Sequence, residues 1–112
     1  MIFMISQPMA GLSREQILSE RDRVAVKLKE RGHQVIDTYF NEYDKQCDTS
    51  KIVNCPLYWL GESFKRMSNC DAVYFVRGWA STRGCRIEYQ AACEYGLAIV
   101  NEEVTDKCVK DA

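Results

Sequence analysis

The chain has 112 residues, of which 46% are hydrophobic and 28% are charged, and its formal net charge is −1. This length suits one hydrophobic core, so we expect residues 1–112 to form a single domain. Its 15 basic and 16 acidic residues are interspersed along the chain. That distribution argues against a nucleic-acid polymer or an anionic membrane as the partner.

The N-terminal segment and the cysteines bear on the cellular compartment. Residues 1–5 are apolar but too few for an export signal or a membrane span, so we expect a cytoplasmic protein. In that setting the six cysteines are expected to be reduced thiols. No two cysteines have zinc-knuckle spacing and His33 is the only histidine in the sequence. We therefore predict no metal site, and nothing indicates a cofactor.

The first third of the chain predicts a strand, a helix and a second strand. Residues 1–5 have the apolar character of a buried first strand. Ser13 and Gln16 have the spacing of a capping box, and the helix that follows ends at Gly32. Residues 33–37 predict a short second strand. A helix between two short strands is the unit that builds parallel sheets.

The rest of the chain predicts a long loop and then two further helix and strand pairs. Residues 38–55 show no regular pattern, and a loop of that length is more often functional or mobile than not. A second helix is predicted from Pro56 to about Asn69, a central strand over residues 71–76, a third helix over 83–95, and a fourth strand over 97–100. The inward residues predicted for the third helix are Ile87, Ala91, Ala92 and Tyr95.

These elements predict an α/β fold, a three-layer flavodoxin-like or Rossmann-like sandwich with a four- to five-stranded, mainly parallel sheet. Ligands of such sheets lie beyond the carboxyl ends of the strands. Of the segments at that edge, the one that joins the third strand to the third helix is the richest in candidate site residues.

A predicted anion site lies at the start of the third helix. Thr82 or Ser81 would cap this helix and leave N–H groups that suit a phosphate or carboxylate, with Arg83 and Arg86 adding positive charge. Glu88, further along, is a candidate nucleophile for an anomeric carbon. The competing interpretation is that Glu88 is a surface carboxylate paired with a neighbouring arginine.

Two tryptophans have alternative interpretations. The indole of Trp79, just before the anion site, has the shape to stack on a base or cover a sugar, and it suits equally well a loop anchor at the edge of the core. Trp59 on the second helix is predicted to support helix or subunit packing.

The order of motifs resembles that of the nucleoside 2-deoxyribosyltransferase-like family, over about residues 1–100. The motifs that carry the resemblance are Ile5-Ser6-Gln7-Pro8-Met9-Ala10-Gly11-Leu12, Arg31-Gly32-His33-Gln34-Val35, Cys70-Asp71-Ala72-Val73, Gly78-Trp79, and Ser81-Thr82-Arg83-Gly84-Cys85-Arg86-Ile87-Glu88, followed by Ala92 and Gly96.

The resemblance implies that Glu88 is the nucleophile that takes a deoxyribosyl group and releases the base. It implies that Thr82 contacts the ligand, where a hydroxyl favours a phosphate-bearing substrate. Together with the anion site, the predicted substrate-binding residues are Ser6, Met9, Gly11, Trp79, Ser81, Thr82, Arg83 and Gly84. The family also has an aspartate that helps handle the leaving base, and this chain has Ser63 at that position.

We therefore expect an N-glycosidic enzyme that cleaves or transfers the 2-deoxyribosyl group of a deoxynucleoside or deoxynucleotide. The alternative is a non-catalytic nucleotide-binding or sensing module with the same pocket, and a third is a small assembly protein with a vestigial pocket. The expected partners are the small-molecule nucleoside or nucleotide and further copies of the chain, as a homodimer or higher homo-oligomer. A sheet this small leaves an edge and helix faces uncovered, and the resembling enzymes are oligomers.

Overall fold

The computed structural model describes residues 1–36 and 53–103, which form a parallel sheet with helices on both faces. The strands are β1 (Ile2–Ser6), β2 (Gln34–Ile36), β3 (Ala72–Phe75) and β4 (Ala98–Asn101). Their order in the sheet is β2-β1-β3-β4, and every neighbouring pair is parallel. The helices are α1 (Arg14–Glu30), α2 (Cys55–Met67) and α3 (Arg83–Glu94). The predicted α/β sandwich is confirmed.

The two faces of the sheet bury separate sets of apolar side chains, because successive residues of a strand point to opposite faces. Phe3 and Ile5 of β1 pack on the face that α1 covers, together with Val24 and Leu28. Met4 points to the other face. Its apolar cluster there contains Met67 from α2 and Ala92 from α3. The helix that follows β1 and the helix that follows β3 therefore lie on opposite faces.

The ends of α1 follow the sequence signals. The backbone N–H of Gln16 donates to Ser13 Oγ at 3.1 Å, and the N–H of Ser13 donates to Gln16 Oε1 at 2.9 Å. This is the reciprocal capping box that the spacing predicts. Beyond the last helical turn, Gly32 adopts φ +87°, a left-handed conformation that residues with a Cβ rarely take.

The inward face of α3 differs from the prediction. Ile87 and Tyr95 are 40% and 84% exposed, whereas Cys85, Glu88 and Ala92 are buried. The predicted and the observed inward residues both have helical spacing. The sequence favours the predicted set because it is the more apolar of the two. The helix is rotated so that its buried carboxylate meets hydroxyl groups from two other elements. The prediction for Ile87 and Tyr95 is wrong for that reason.

The cysteine and loop predictions are tested in part. Cys70, Cys85 and Cys93 are free, but Cys55 is disulfide-bonded, so the prediction of six reduced thiols is wrong at that residue. Pairing depends on proximity in three dimensions, which spacing does not reveal.

The predicted loop over residues 38–55 ends earlier than expected, because Cys55 is the first residue of α2. Residues 38–52 of that loop lie outside the described residues. Within the described ranges, every helix is too short or too polar to cross a membrane.

Candidate active site

The carboxyl ends of β1 and β3 lie side by side at the point where the following helices diverge to opposite faces. Such a point in a parallel sheet opens a crevice, and here it holds a cavity of about 390 Å³. Side chains from β1 and the turn after it, from α1, from α2 and from the start of α3 line it. They are Ile5, Ser6, Gln7, Met9, Ala10, Arg21, Pro56, Trp59, Leu60, Ser63, Ser81, Thr82, Arg83, Gly84, Cys85 and Glu88.

Among the described residues that line this cavity, Glu88 is the one carboxylate, and it is only 8% exposed. The Ser6 hydroxyl, at the end of β1, donates a hydrogen bond of 2.5 Å to Glu88 Oε1. Ser63 on α2 also lines the cavity, and its hydroxyl lies near enough to the carboxylate to lower its pKa. Three separate elements thus fix one acidic side chain, and the competing interpretation of a surface carboxylate paired with Arg86 does not hold.

The surroundings of Glu88 act on its pKa in opposite directions. Burial raises the pKa because it removes water from the ionised form. The hydrogen bonds from Ser6 and Ser63 and the positive charge of Arg21 lower it. Burial prevails, so the pKa lies above the ordinary glutamate value of 4.5. When ionised, this carboxylate has few solvating waters, which favours nucleophilic attack.

Cys85 lies one turn before Glu88 and is also buried. Burial raises the pKa of its thiol, while hydrogen bonds with Ser6 and Thr82 lower it. The net shift is upward. Because the thiolate is the reactive form of cysteine, this thiol is a packing group of the cavity rather than a nucleophile.

The start of α3 forms one rim of the cavity. Thr82 is the N-cap residue, but its side chain makes no capping bond and donates instead to the Trp79 carbonyl at 3.1 Å. Ser81 donates to the Gly78 carbonyl at 2.8 Å, so the predicted side-chain cap from either residue is wrong. The first amides of a helix have no intrahelical acceptor. With Arg83 beside them, they keep the rim electropositive.

Arg86 was predicted to add charge to this rim, and the structure places it elsewhere. It is exposed, and its guanidinium donates to the Ala80 carbonyl at 3.1 Å. It does not line the cavity.

Seven of the nine predicted site residues meet around the cavity. They are Ser6, Met9, Ser81, Thr82, Arg83, Gly84 and Glu88. Gly11 is exposed in the turn before α1, with φ +79°, and does not line the cavity. A left-handed backbone there explains the glycine without a ligand.

Trp79 also lies outside the cavity lining, in the short 3-10 turn Trp79–Ser81. Its ring stacks on Tyr89, with centroids 4.4 Å apart and planes inclined by 9°. Its indole N–H donates to Asn101 Oδ1 at 2.9 Å. Of the two interpretations that the sequence left open, the structure matches the loop anchor.

Other lining residues escaped the sequence analysis. The sequence predicts a packing role for Trp59, but this residue lies one helical turn before Ser63 on the cavity face of α2. The i, i+4 spacing of the two residues indicates that they share a helix face. Arg21 lies four residues after Ile17 on α1, on the same side of the helix. The Ile17 carbonyl accepts a 3.0 Å hydrogen bond from Gln7 Nε2. Gln7 and Arg21 therefore lie together on the α1 side of the cavity.

The described part of the chain contains no group of three histidine, cysteine, aspartate or glutamate side chains that could hold a metal ion.

Comparison with known protein families places most of the chain. The model of a family described as "Domain of unknown function (DUF4406)" matches residues 1–101, a range that includes β1 to β4 and all the described residues that line the cavity. No curated protein and no solved structure matches the chain.

Proposed function

Because the chain belongs to the DUF4406 family, a domain of unknown function, we propose its activity from the site itself: an N-glycosidic enzyme that cleaves or transfers a 2-deoxyribosyl group. The substrate is a deoxynucleoside or deoxynucleotide, and Glu88 carries the covalent intermediate. The observation that carries this proposal is the buried Glu88 carboxylate, held by hydroxyls from β1 and α2 inside a cavity at the carboxyl edge of the sheet.

In the proposed reaction a carboxylate oxygen of Glu88 attacks C1′ of the sugar. The bond between C1′ and the base nitrogen breaks, and its electron pair leaves with the base. A water molecule or an acceptor base then attacks C1′ and gives up a proton, the departed base takes up a proton, and Glu88 is released as a carboxylate. The Ser6 hydroxyl, with Ser63 beside it, holds the carboxylate in one orientation before the first step, which lowers the cost of reaching the reactive geometry.

The walls of the cavity support a nucleotide as the ligand. The α2 wall contributes Trp59, Pro56 and Leu60, which offer a flat aromatic face and apolar surface to a base. The opposite rim has the first amides of α3 and the side chain of Arg83, which suit a phosphate. The resemblance to nucleoside 2-deoxyribosyltransferase-like proteins supports the same assignment.

The experiment that tests this proposal incubates the protein with a panel of deoxynucleosides and deoxynucleoside monophosphates, with and without an acceptor base. Chromatography should show released or exchanged base, and intact-mass spectrometry should show a deoxyribosyl adduct that is absent from Glu88→Ala. Glu94→Ala, an exposed change on the same helix, is the control. Equal base release by wild type and Glu88→Ala across the panel would refute the proposal.

A second candidate function is nucleotide binding without turnover. Among the described residues that line the cavity, Glu88 is the only carboxylate, whereas glycosidic cleavage commonly uses two. Ser63 lies beside Glu88 and offers a hydroxyl where a second carboxyl group could protonate the leaving base. Calorimetry that finds deoxynucleotide binding in both wild type and Glu88→Gln, with no product from either, would favour this function over the first.

We also propose that the chain forms a homodimer or a higher homo-oligomer. Three apolar side chains near the start of α2 are exposed to solvent: Val53 by 97%, Leu57 by 61% and Tyr58 by 41%. Exposed apolar surface of this kind favours association between copies of a chain. Light scattering at several concentrations tests this; a constant monomer mass argues against it.

The proposed cellular setting is the cytoplasm, where Cys70, Cys85 and Cys93 would stay free thiols. The Cys55 disulfide argues the other way, because structural disulfides are rare in reducing compartments. Fractionation combined with thiol labelling of Cys55 decides between them.

A further inference from the structure

The end of β4 binds the loop that leads from β3 into α3. We name this group of three consecutive residues the β4 clamp, and it comprises Asn101, Glu102 and Glu103. Asn101 Oδ1 accepts the Trp79 indole N–H at 2.9 Å and the backbone N–H of Glu103 at 3.1 Å. One amide oxygen therefore joins the Trp79 side chain to the backbone of the clamp itself.

The two carboxylates of the clamp bind the backbone of the same loop. Glu102 Oε1 accepts the N–H of Arg77 at 2.9 Å. Glu103 Oε2 accepts the N–H of Gly78 through a short hydrogen bond. Hydrogen bonds to an ionised acceptor are stronger than neutral ones, so both amides are held firmly.

Glu102 is in turn anchored to the body of the domain. Arg23 of α1 donates to both of its oxygens, at 2.9 and 3.1 Å. The phenol of Tyr74 on β3 donates to Oε2 at 2.7 Å, and Lys27 donates to that phenol at 3.0 Å. The position of Arg77 is thereby tied to α1 and to the central strand.

The held loop carries the rim of the cavity. The backbone N–H and the hydroxyl of Ser81 both donate to the Gly78 carbonyl, at 3.1 and 2.8 Å. The backbone N–H and the hydroxyl of Thr82 both donate to the Trp79 carbonyl, at 3.1 Å each. Ser81 and Thr82 thus depend on Gly78 and Trp79, two of the three residues that the clamp holds.

We infer that the β4 clamp is a set of positioning residues for the Glu88 site. It fixes Gly78 and Trp79, these fix Ser81 and Thr82, and the start of α3 is held relative to the cavity. None of the three clamp residues lines the cavity, so they act through the loop. The catalytic part of this inference rests on the proposed function of Glu88.

The test uses Glu103→Ala, because Glu103 is exposed and its truncation leaves the core intact. Glu103→Gln keeps a carbonyl oxygen that can accept the Gly78 amide and is the rescue variant. Glu94→Ala, at an exposed carboxylate bonded only to Gln90 on α3 among the described residues, is the matched control. In Glu103→Ala we expect faster hydrogen exchange at the Gly78 amide and shifted amide resonances at Ser81, Thr82 and Gly84. Both should recover in Glu103→Gln and stay unchanged in Glu94→Ala.

Kinetics on the best substrate of the panel supply the second readout. Misplacement of a reacting group by about 1 Å costs up to about 100-fold in rate, and we expect Glu103→Ala to lower kcat by about tenfold, with a smaller rise in KM. The amide resonances at the rim decide the positioning role even if wild type shows no turnover, a result that would refute the proposed function alone. Unchanged rim resonances in Glu103→Ala, or a changed rim with unchanged kcat and KM, overturn the inference.

Discussion

The Ser6 hydroxyl and the Glu88 carboxylate, 82 residues apart in the sequence, meet in a buried hydrogen bond of 2.5 Å. This contact joins the end of β1 to the middle of α3 across the crevice. It lowers the pKa of Glu88 against the larger, opposite effect of burial. The same burial that prepares the carboxylate for chemistry therefore works against the stability of the fold, and each change at Glu88 has consequences for both.

Glu88→Gln is expected to abolish turnover and to stabilise the protein above about pH 5. Since burial raises the folded-state pKa of Glu88 above its value of 4.5, the wild type loses stability as the pH rises from about 4.5 through the folded pKa. The neutral amide in Glu88→Gln removes this loss of stability, although it changes the contacts that the side chain makes with the hydroxyls of Ser6 and Ser63. Thermal unfolding followed from pH 4 to pH 8 measures the effect. A parallel pH dependence in wild type and Glu88→Gln contradicts it.

Glu102→Gln is expected to destabilise the protein at neutral pH. The folded pKa of Glu102 is about 2 because hydrogen bonds with Arg23, Arg77 and Tyr74 outweigh the effect of burial. Its contribution is fully present above the unfolded pKa of about 4.5 and is lost as the pH falls towards 2. Because Arg23 is partly solvent-exposed, we expect a loss of about 1–2 kcal/mol. Urea unfolding at pH 7 and pH 3 should show a smaller difference between variant and wild type at pH 3.

Trp59→Ala is expected to weaken deoxynucleotide binding. Stacking of a base on an aromatic side chain contributes about 1–3 kcal/mol, which corresponds to about a 5- to 150-fold increase in Kd. Lys65→Ala, on the same helix but with its side chain 72% exposed and outside the cavity lining, is the matched control. Calorimetry with a deoxynucleoside monophosphate measures both. Equal affinities for the two variants place the base elsewhere.

Ser63→Asp is expected to raise turnover of substrates with a neutral purine base. Ser63 lies beside Glu88 in the cavity lining, and an aspartate there gains a raised pKa from burial and from the like charge, so it can donate a proton to the leaving base. General acid catalysis contributes about 100- to 10,000-fold, and we expect an increase at the lower end. Ser63→Asn is the isosteric control. If both variants have the same kcat/KM at pH 6, base protonation does not limit the reaction.

Local sequence signals determined the elements of the fold. The capping box at Ser13, the glycine that ends α1 and the apolar run of β3 depend on neighbouring residues, and each appears where the pattern predicts it. The predicted parallel topology places the carboxyl ends of β1 and β3 at one edge of the sheet, and the family resemblance adds Ser6 and Thr82 to one ligand site there.

The tertiary structure alone decided which side chains enter that site. Helical spacing allows α3 to bury either Ile87 or Glu88, and only the hydroxyls that Ser6 and Ser63 bring from other elements make the carboxylate the buried choice. The same applies to the two tryptophans, because stacking of Trp79 on Tyr89 and exposure of Trp59 to the cavity depend on the packing of α2 and α3 on the sheet. Sequence patterns determine local conformation, whereas contacts between distant residues are determined by how the elements pack.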